Sequence, residues 1–215
     1  EVVEVAQGAD MVADQEADEL AEKGVLTTSC CPGFVGYVKR HHPEMEQYVS
    51  HTPSPMVMIG LHLKEKEPNA KVVFIGPCVA KKTEFQLGRS RNSIDSVLTF
   101  EELAALFEAR EIEVSELEEG ALEGASPYGR GFAASGGVAG AVTQALKEKG
   151  SDFEVKPVAC SGIEECKIAL LKLNRGLLDG NLIEGMACVG GWIQGPSNII
   201  RTPKNKQELE EHKKT

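Results

Sequence analysis

Three short apolar runs in this chain each end directly in cysteine, and that coincidence constrains the fold more than any other feature. Val25–Ser29 leads into Cys30-Cys31, Lys71–Gly76 into Pro77-Cys78, and Leu182–Ala187 into Cys188. Runs this short, rich in β-branched residues and bounded by Gly or Pro, are the pattern of strands. Val97–Phe100 and Val155–Cys160 bring the strands to five, with helical stretches between them. Strands alternating with helices pair in parallel. The expected fold class is therefore α/β, a two-lobed α/β/α arrangement of mostly parallel sheets. Its site would lie at the C-terminal ends of the strands, between the lobes, where open α/β sheets bind ligands. Residues 1–215 read as one domain, with a lobe boundary near 85–130.

The helices have readable ends. Residues 8–23 suggest an acidic turn and then a helix with Asp14 as N-cap, stopped by Gly24. Pro32 suits the first turn of a helix running to about His42, and Ser54-Pro55 opens another that fades in Lys64–Asn69. Thr99 or Phe100 leads into a helix at Glu101–Arg110, Ser135-Gly136-Gly137 opens one to about Lys149, and Ser161 opens one to about Arg175. Residues 111–130 read as a long surface loop, and Lys204–Thr215 as a charged helix or tail. The run Lys71–Gly76 is expected to be a buried strand.

Composition narrows the function classes. With 41% hydrophobic and 26% charged residues the chain is of globular type. No apolar run approaches the roughly 18–20 residues of a membrane span. A net charge of −10 argues against nucleic acid as partner. Six cysteines in an acidic chain of 215 residues suit intracellular thiols used for metal binding or catalysis better than a secreted disulfide framework.

The chemistry concentrates after the strands. Cys78 offers a soft thiol for iron or zinc, Lys81 a cation for an anionic ligand, and Glu84 a carboxylate to hold that lysine. The plainer alternative is a buried cysteine before a solvated helix start. Adjacent Cys30 and Cys31 point different ways, so one ligand and one thiol for other chemistry is easier than two ligands on one atom. They could also simply fill a strand end. His41 and His42 close a helix C-terminus, where imidazole suits the dipole. Met56 and Met58 read as core, and Cys160 and Cys166 as core or helix-face thiols, since their spacing does not match common zinc sites. The Gly136-Gly137 pair would let backbone N–H groups approach an anion, though close helix packing explains it equally well.

Thr28-Ser29-Cys30-Cys31-Pro32-Gly33, Pro77-Cys78-x-x-Lys81-Lys82-x-Glu84 and Glu184-x-Met186-Ala187-Cys188-x-Gly190-Gly191 resemble, in order, spacing and content, the three signature motifs of the iron-only ([FeFe]) hydrogenase catalytic domain. Gly8-Ala9-Asp10, Pro43-Glu44, Ser54-Pro55 and Phe132-x-x-Ser135-Gly136-Gly137-Val138 are similar to further family segments. The family's domain normally begins well upstream of Glu1, so this chain is expected to be a fragment. The resemblance implies an H-cluster: a [4Fe–4S] cubane linked to a di-iron unit carrying CO, cyanide and a dithiolate. It implies Cys31, Cys78 and Cys188 as cubane ligands and Cys30 as the thiol that passes protons. Lys81 would bond a cyanide, oriented by Glu84, while Met186, Phe132 and Ser135 would surround the cofactor. A proton path would run through Glu16, Glu19 and Ser50, with Lys23 where the family usually has Arg.

The function so implied is reversible oxidation of dihydrogen to protons and electrons in the cytoplasm of an anaerobe. A ferredoxin or ferredoxin-like domain would be the electron carrier, and maturation enzymes would build the di-iron unit. Two residues depart from the family. Gly76 stands where Met is usual before Pro77, which is expected to enlarge the pocket. Trp192 stands where a second cysteine of the third motif normally closes the cubane and bridges it to the di-iron unit, and indole cannot ligate iron. A degenerate iron–sulfur or metal-free module for sensing or interaction is therefore the alternative. A third relation is to the hydrogenase-like proteins of cytosolic iron–sulfur assembly, which keep a cluster without the di-iron unit.

Overall fold

The computed structural model describes residues 1–122 and 124–214, and of Arg89 the backbone only. Glu123 of the expected loop and Thr215 of the expected tail thus lie outside the described residues. In chain order the elements are α1 (Val5–Lys23), β1 (Leu26–Thr27), α2 (Pro32–His41), α3 (Pro55–Lys66), β2 (Val73–Ile75), α4 (Lys81–Glu84) and β3 (Ser96–Leu98). They continue with α5 (Phe100–Ala109), α6 (Pro127–Gly131), α7 (Gly137–Glu148), β4 (Pro157–Ser161), α8 (Ile163–Asn174), β5 (Leu182–Met186) and α9 (Lys204–His212).

The strands form two parallel sheets, one ordered β1-β5-β4 and one of β2 and β3. β5 is central and buried along its whole length. Alternation along a strand sends successive side chains to opposite faces. Leu182 and Met186 accordingly join Leu20, Leu26 and Val142 in one core, and Ile183 joins Phe34, Val38 and Leu170 in another. That gives α1 and α7 on one face and α2 and α8 on the other. The smaller sheet has its own core of Met56, Val57, Phe74, Ile94 and Val97, against which Trp192 packs. The chain segments of the first sheet lie on both sides of the second in sequence.

Three local expectations are corrected. α1 starts at Val5, with Glu4 as its N-cap, and Asp14 lies mid-helix on the exposed side. Ala9, Val12 and Ala13 extend the buried stripe N-terminally, and Gly8 is where α3 crosses. A Cβ on Gly8 would stand 2.4 Å from the Pro55 carbonyl oxygen, so this glycine serves a helix contact rather than a turn. β2 is covered on one face only: Phe74 is buried, whereas Val73 and Ile75 are 47% and 38% exposed. The segment 111–130 is not loop throughout. Ser126 caps α6 by accepting from the N–H groups of Tyr128 and Gly129, and it donates to Asp10 of α1 at 2.5 Å. The capping box at Thr99 and Glu102 bears out the start of α5, and Gly24, in the left-handed conformation, ends α1.

Candidate functional site

The C-terminal ends of β1, β2 and β5 open onto one cavity of about 150 Å3. Cys30, Cys31, Cys78 and Cys188 all line it, together with Lys81, Phe132, Met186 and Trp192. The coincidence seen in the sequence is thus a physical convergence. Among the described residues no three His, Cys, Asp or Glu side chains stand close enough to hold a single metal ion. The thiols instead lie on a wall that is otherwise mainly apolar. Burial raises the pKa of Cys30, Cys78 and Cys188, so as free groups they are thiols, and metal binding would release their protons.

Lys81 sits at the start of the single turn α4. Its Nζ donates to Glu84 Oε2 at 2.7 Å and to the Cys30 carbonyl at 3.1 Å, and both side chains of the pair are almost fully buried. This cation therefore ties the β2 end to the β1 end at the cavity wall. A buried ion pair is costly to desolvate and is retained only with good geometry, which this one has.

Behind Cys30 a polar run leads outward. Glu16 is fully buried; its Oε1 accepts from the Ser29 N–H at 3.2 Å, and burial pushes its pKa up to about 8. At neutral pH it therefore carries a proton and can donate. Ser50 lies close enough to lower the Glu16 pKa, and its hydroxyl donates to Glu19 Oε2 at 2.7 Å. Burial works to raise Glu19 too, but hydrogen bonds from Lys23, Ser50 and the His51 backbone outweigh it and hold the group ionised. Lys23 Nζ reaches Glu19 at 2.6 Å, and His51 Nδ1 lies 3.0 Å from the same oxygen at the surface. The directions agree: a protonated Glu16, a hydroxyl already donating outward, and an anionic Glu19 at the mouth.

Other expected residues fall elsewhere. The Ser135 side chain does not line the cavity; its backbone lies against the turn at Gly191. Gly136 of the glycine pair beside it does donate to a carboxyl group, but that group belongs to the protein, and burial raises its pKa. Glu184, buried on β5, accepts from the N–H of Gly136 at 2.7 Å and of Ala139 at 2.8 Å, at the N-terminus of α7. The sequence places Glu184 in the third motif but assigns it no role, although an acid in the middle of a buried strand was a usable signal. Cys160 and Cys166 are core thiols, buried beside Leu170 and Ile183, with Cys166 donating to the Met186 carbonyl. The His41 and His42 rings lie tilted against Tyr37.

The family profile described as "Iron only hydrogenase large subunit, C-terminal domain" matches residues 1–196. The chain belongs to the iron-only hydrogenase family. It is 26% identical to Iron hydrogenase 1 of Clostridium pasteurianum, over 97% of this chain and 45% of that protein. To the cytosolic Fe-S cluster assembly factor NAR1 of Kluyveromyces lactis it is 33% identical, over 39% of this chain and 18% of that protein. The periplasmic [Fe] hydrogenase large subunit of Nitratidesulfovibrio vulgaris is 27% identical, over 78% of this chain and 50% of that protein. The chain thus spans about half the length of the hydrogenase relatives it matches. The [FeFe]-hydrogenase HydA(deltaEFG) structure shares the fold with a TM-score of 0.75 at 22% identity, covering 99% of this chain and 73% of that one. Among the described residues no helix is long and apolar enough to cross a membrane.

Against the cluster of this iron-only hydrogenase family, the donor set fits in part. Three thiols from three strand ends surround the cavity, which suits a cubane. At the fourth position stands Trp192, whose indole packs on Phe74 with ring centroids 6.2 Å apart. The room expected from Gly76 is not free, because a Cβ there would meet Trp192 Cζ2 at 2.6 Å. The two departures from the expected pattern fill one another's space, and an indole at 192 supplies no thiolate.

Proposed function

We propose that this chain is a hydrogenase-like iron–sulfur module that holds a [4Fe–4S] cubane on Cys31, Cys78 and Cys188 and couples it to the protons of Cys30 and the Glu16 run. The observation that carries this reading is the packing of Trp192 into the space beside Gly76, on the wall that the three thiols share. A bound cubane would supply electron transfer. The chain's own residues would hold it by thiolate bonds, exclude water with Phe132 and Met186, and offset its charge with Lys81, fixed by Glu84. Protons would exchange with solvent from Glu16 through Ser50 to Glu19. Such a module suits sensing, interaction or electron transfer, with a ferredoxin-type protein as partner.

A second reading, reversible oxidation of dihydrogen at a complete H-cluster, is favoured by the intact Lys81–Glu84 pair and by the Cys30–Glu16–Ser50–Glu19 run. The deciding experiment is infrared spectroscopy of protein purified anaerobically after co-expression with the maturation enzymes, alongside iron and sulfide analysis. Cluster iron without bands of iron-bound CO and cyanide is the expected result. Those bands, with hydrogen uptake, would replace the first reading by the second.

A further inference from the structure

We propose that Cys160 and Cys166 are a dithiol that hydrogen peroxide closes to a disulfide, a modification site in the core behind the Cys188 turn. The corner between β4 and α8 builds the pairing. Cys160 lies opposite Gly185 of β5 in the parallel register and shares a core with Ile183 and Cys166. Strands paired in this way run about 4.8 Å apart. One residue further along β5, the Met186 carbonyl accepts from the Gly162 N–H at 2.8 Å and from the Cys166 thiol at 3.6 Å. Gly162, at φ 103°, turns the chain there, and the Cys166 N–H closes the first turn of α8 on the Gly162 carbonyl at 3.2 Å. Strand and helix thus bring both thiols to the same short stretch of β5. A disulfide needs that closeness, since its Cα atoms ordinarily stand about 4.4–6.8 Å apart. A hydrogen bond from Cys166 also lowers the pKa of Cys160, which makes Cys160 the nucleophile of the pair.

Both thiols are buried, so the oxidant must be small, and hydrogen peroxide is little larger than water. β4 lies at the edge of its sheet, and Ala159 beside Cys160 is exposed. The Cys160 thiolate attacks one peroxide oxygen: an S–O bond forms, the O–O bond breaks, and hydroxide leaves as water with the Cys160 proton. The Cys166 sulfur then attacks the Cys160 sulfur. The S–S bond forms, the S–O bond breaks, and a second water leaves with the Cys166 proton. Two thiols lose two electrons, and one peroxide is reduced to two waters. The new bond removes the Cys166 donor from the Met186 carbonyl. The same corner holds the turn after Cys188: Ser161 Oγ accepts from the Gly190 N–H at 2.8 Å, and a Cβ on Gly162 would meet Val189 Cγ2 at 2.8 Å. Oxidation therefore bears on the cavity wall through Ser161 and Gly162.

The test treats the anaerobically purified full chain with hydrogen peroxide, alkylates the remaining thiols after unfolding, and digests with a glutamate-specific protease. That protease cuts at Glu164 and Glu165, between the two cysteines. The expected product in mass spectra is one pair of peptides joined from Cys160 to Cys166 and separated by dithiothreitol. Deuterium exchange at the Gly190 amide should be faster in the oxidised chain and return to the native rate on reduction. Cys160→Ser should give no joined peptides and leave Cys166 to the alkylating reagent; the native chain decides if that variant does not fold. Three results would overturn the pairing: sulfinic acid at Cys160 without a link, a link from either thiol to Cys31, or both thiols alkylated while the cavity thiols are oxidised. A joined pair with unchanged exchange at Gly190 would overturn the connection to the cavity wall.

Discussion

Gly76 and Trp192 occupy one another's space: a Cβ on Gly76 would lie 2.6 Å from the indole Cζ2 of Trp192 and 3.0 Å from the ring of Phe74. Trp192 thereby fastens the turn after β5 onto the core of the smaller sheet. Gly76→Ala should destabilise the chain by about 1–3 kcal/mol through overpacking. In a Trp192→Ala background the same change should cost less, with a coupling of about 0.5–3 kcal/mol. Chemical denaturation of the two single variants and the double variant measures it. Strictly additive effects would show that the two positions are not in contact.

Glu16 makes stability pH-dependent. Its pKa rises from the ordinary 4.5 to about 8 because burial disfavours the charged form. Between those values the unfolded chain loses a proton that the folded chain keeps, so folding stability falls as pH rises. The contribution is fully present below about 4.5 and is lost as pH climbs through about 8, with a slope of up to about 1.4 kcal/mol per pH unit. Glu16→Gln should flatten that slope in denaturation curves taken across the window. An unchanged slope would mean that Glu16 is ionised in the fold.

The parts legible in the sequence were those written locally. The strand-end cysteines, the Lys81–Glu84 spacing, the proline at the start of α2 and the box at Thr99 each lie within a few residues. The start of α1 was misread because Gly8 and Asp10 look like turn residues, whereas the crossing of α3 at Gly8 keeps the chain helical there. The acceptor at Gly136 was not legible locally, since Glu184 lies 48 residues away and nothing nearby in sequence pairs the two. Gly76 was read as open space for the same reason: its neighbour comes from a distant turn. Ser135, adjacent to expected site positions in sequence, is not among the residues that line the cavity.

The Lys81–Glu84 pair should behave as a buried pair. Glu84→Gln keeps the shape and removes the charge that compensates Lys81, so it should cost about 3–5 kcal/mol. Replacing both, as Lys81→Met with Glu84→Leu, should recover most of that loss. The double variant should nevertheless hold reconstituted cluster more weakly, because the cation at the wall is gone. If the single variant is as stable as the native chain, the pair is solvated rather than buried.

Cysteine replacement should divide five of the six thiols. Cys31→Ser, Cys78→Ser and Cys188→Ser should each lower the iron retained after anaerobic reconstitution and desalting. Cys160→Ser and Cys166→Ser should leave retained iron unchanged, since those thiols belong to the core beside Leu170. Their effect should appear in stability instead, at about 1–3 kcal/mol for burying a hydroxyl in place of each thiol. Iron loss in the Cys160 or Cys166 variants at unchanged stability would move the metal centre away from the cavity.

Glu184 should act on the fold through α7. Its two oxygens accept from Gly136 and Ala139. Burial raises the pKa of this carboxyl group, while the backbone hydrogen bonds at the start of α7 work to lower it. Glu184→Gln supplies one oxygen and one amide, so one of the two backbone N–H groups must face another donor in a buried place. The expected loss is about 1–3 kcal/mol. It should be local as well as global: the amides of 136–139 should exchange with deuterium faster than those at the C-terminal end of α7. Met186 and Cys188 follow Glu184 on the same strand and turn, so a loosened α7 N-terminus should also blur the cavity and lower cluster retention. Uniform protection along α7 in the variant would show that the carboxylate is not what holds this helix.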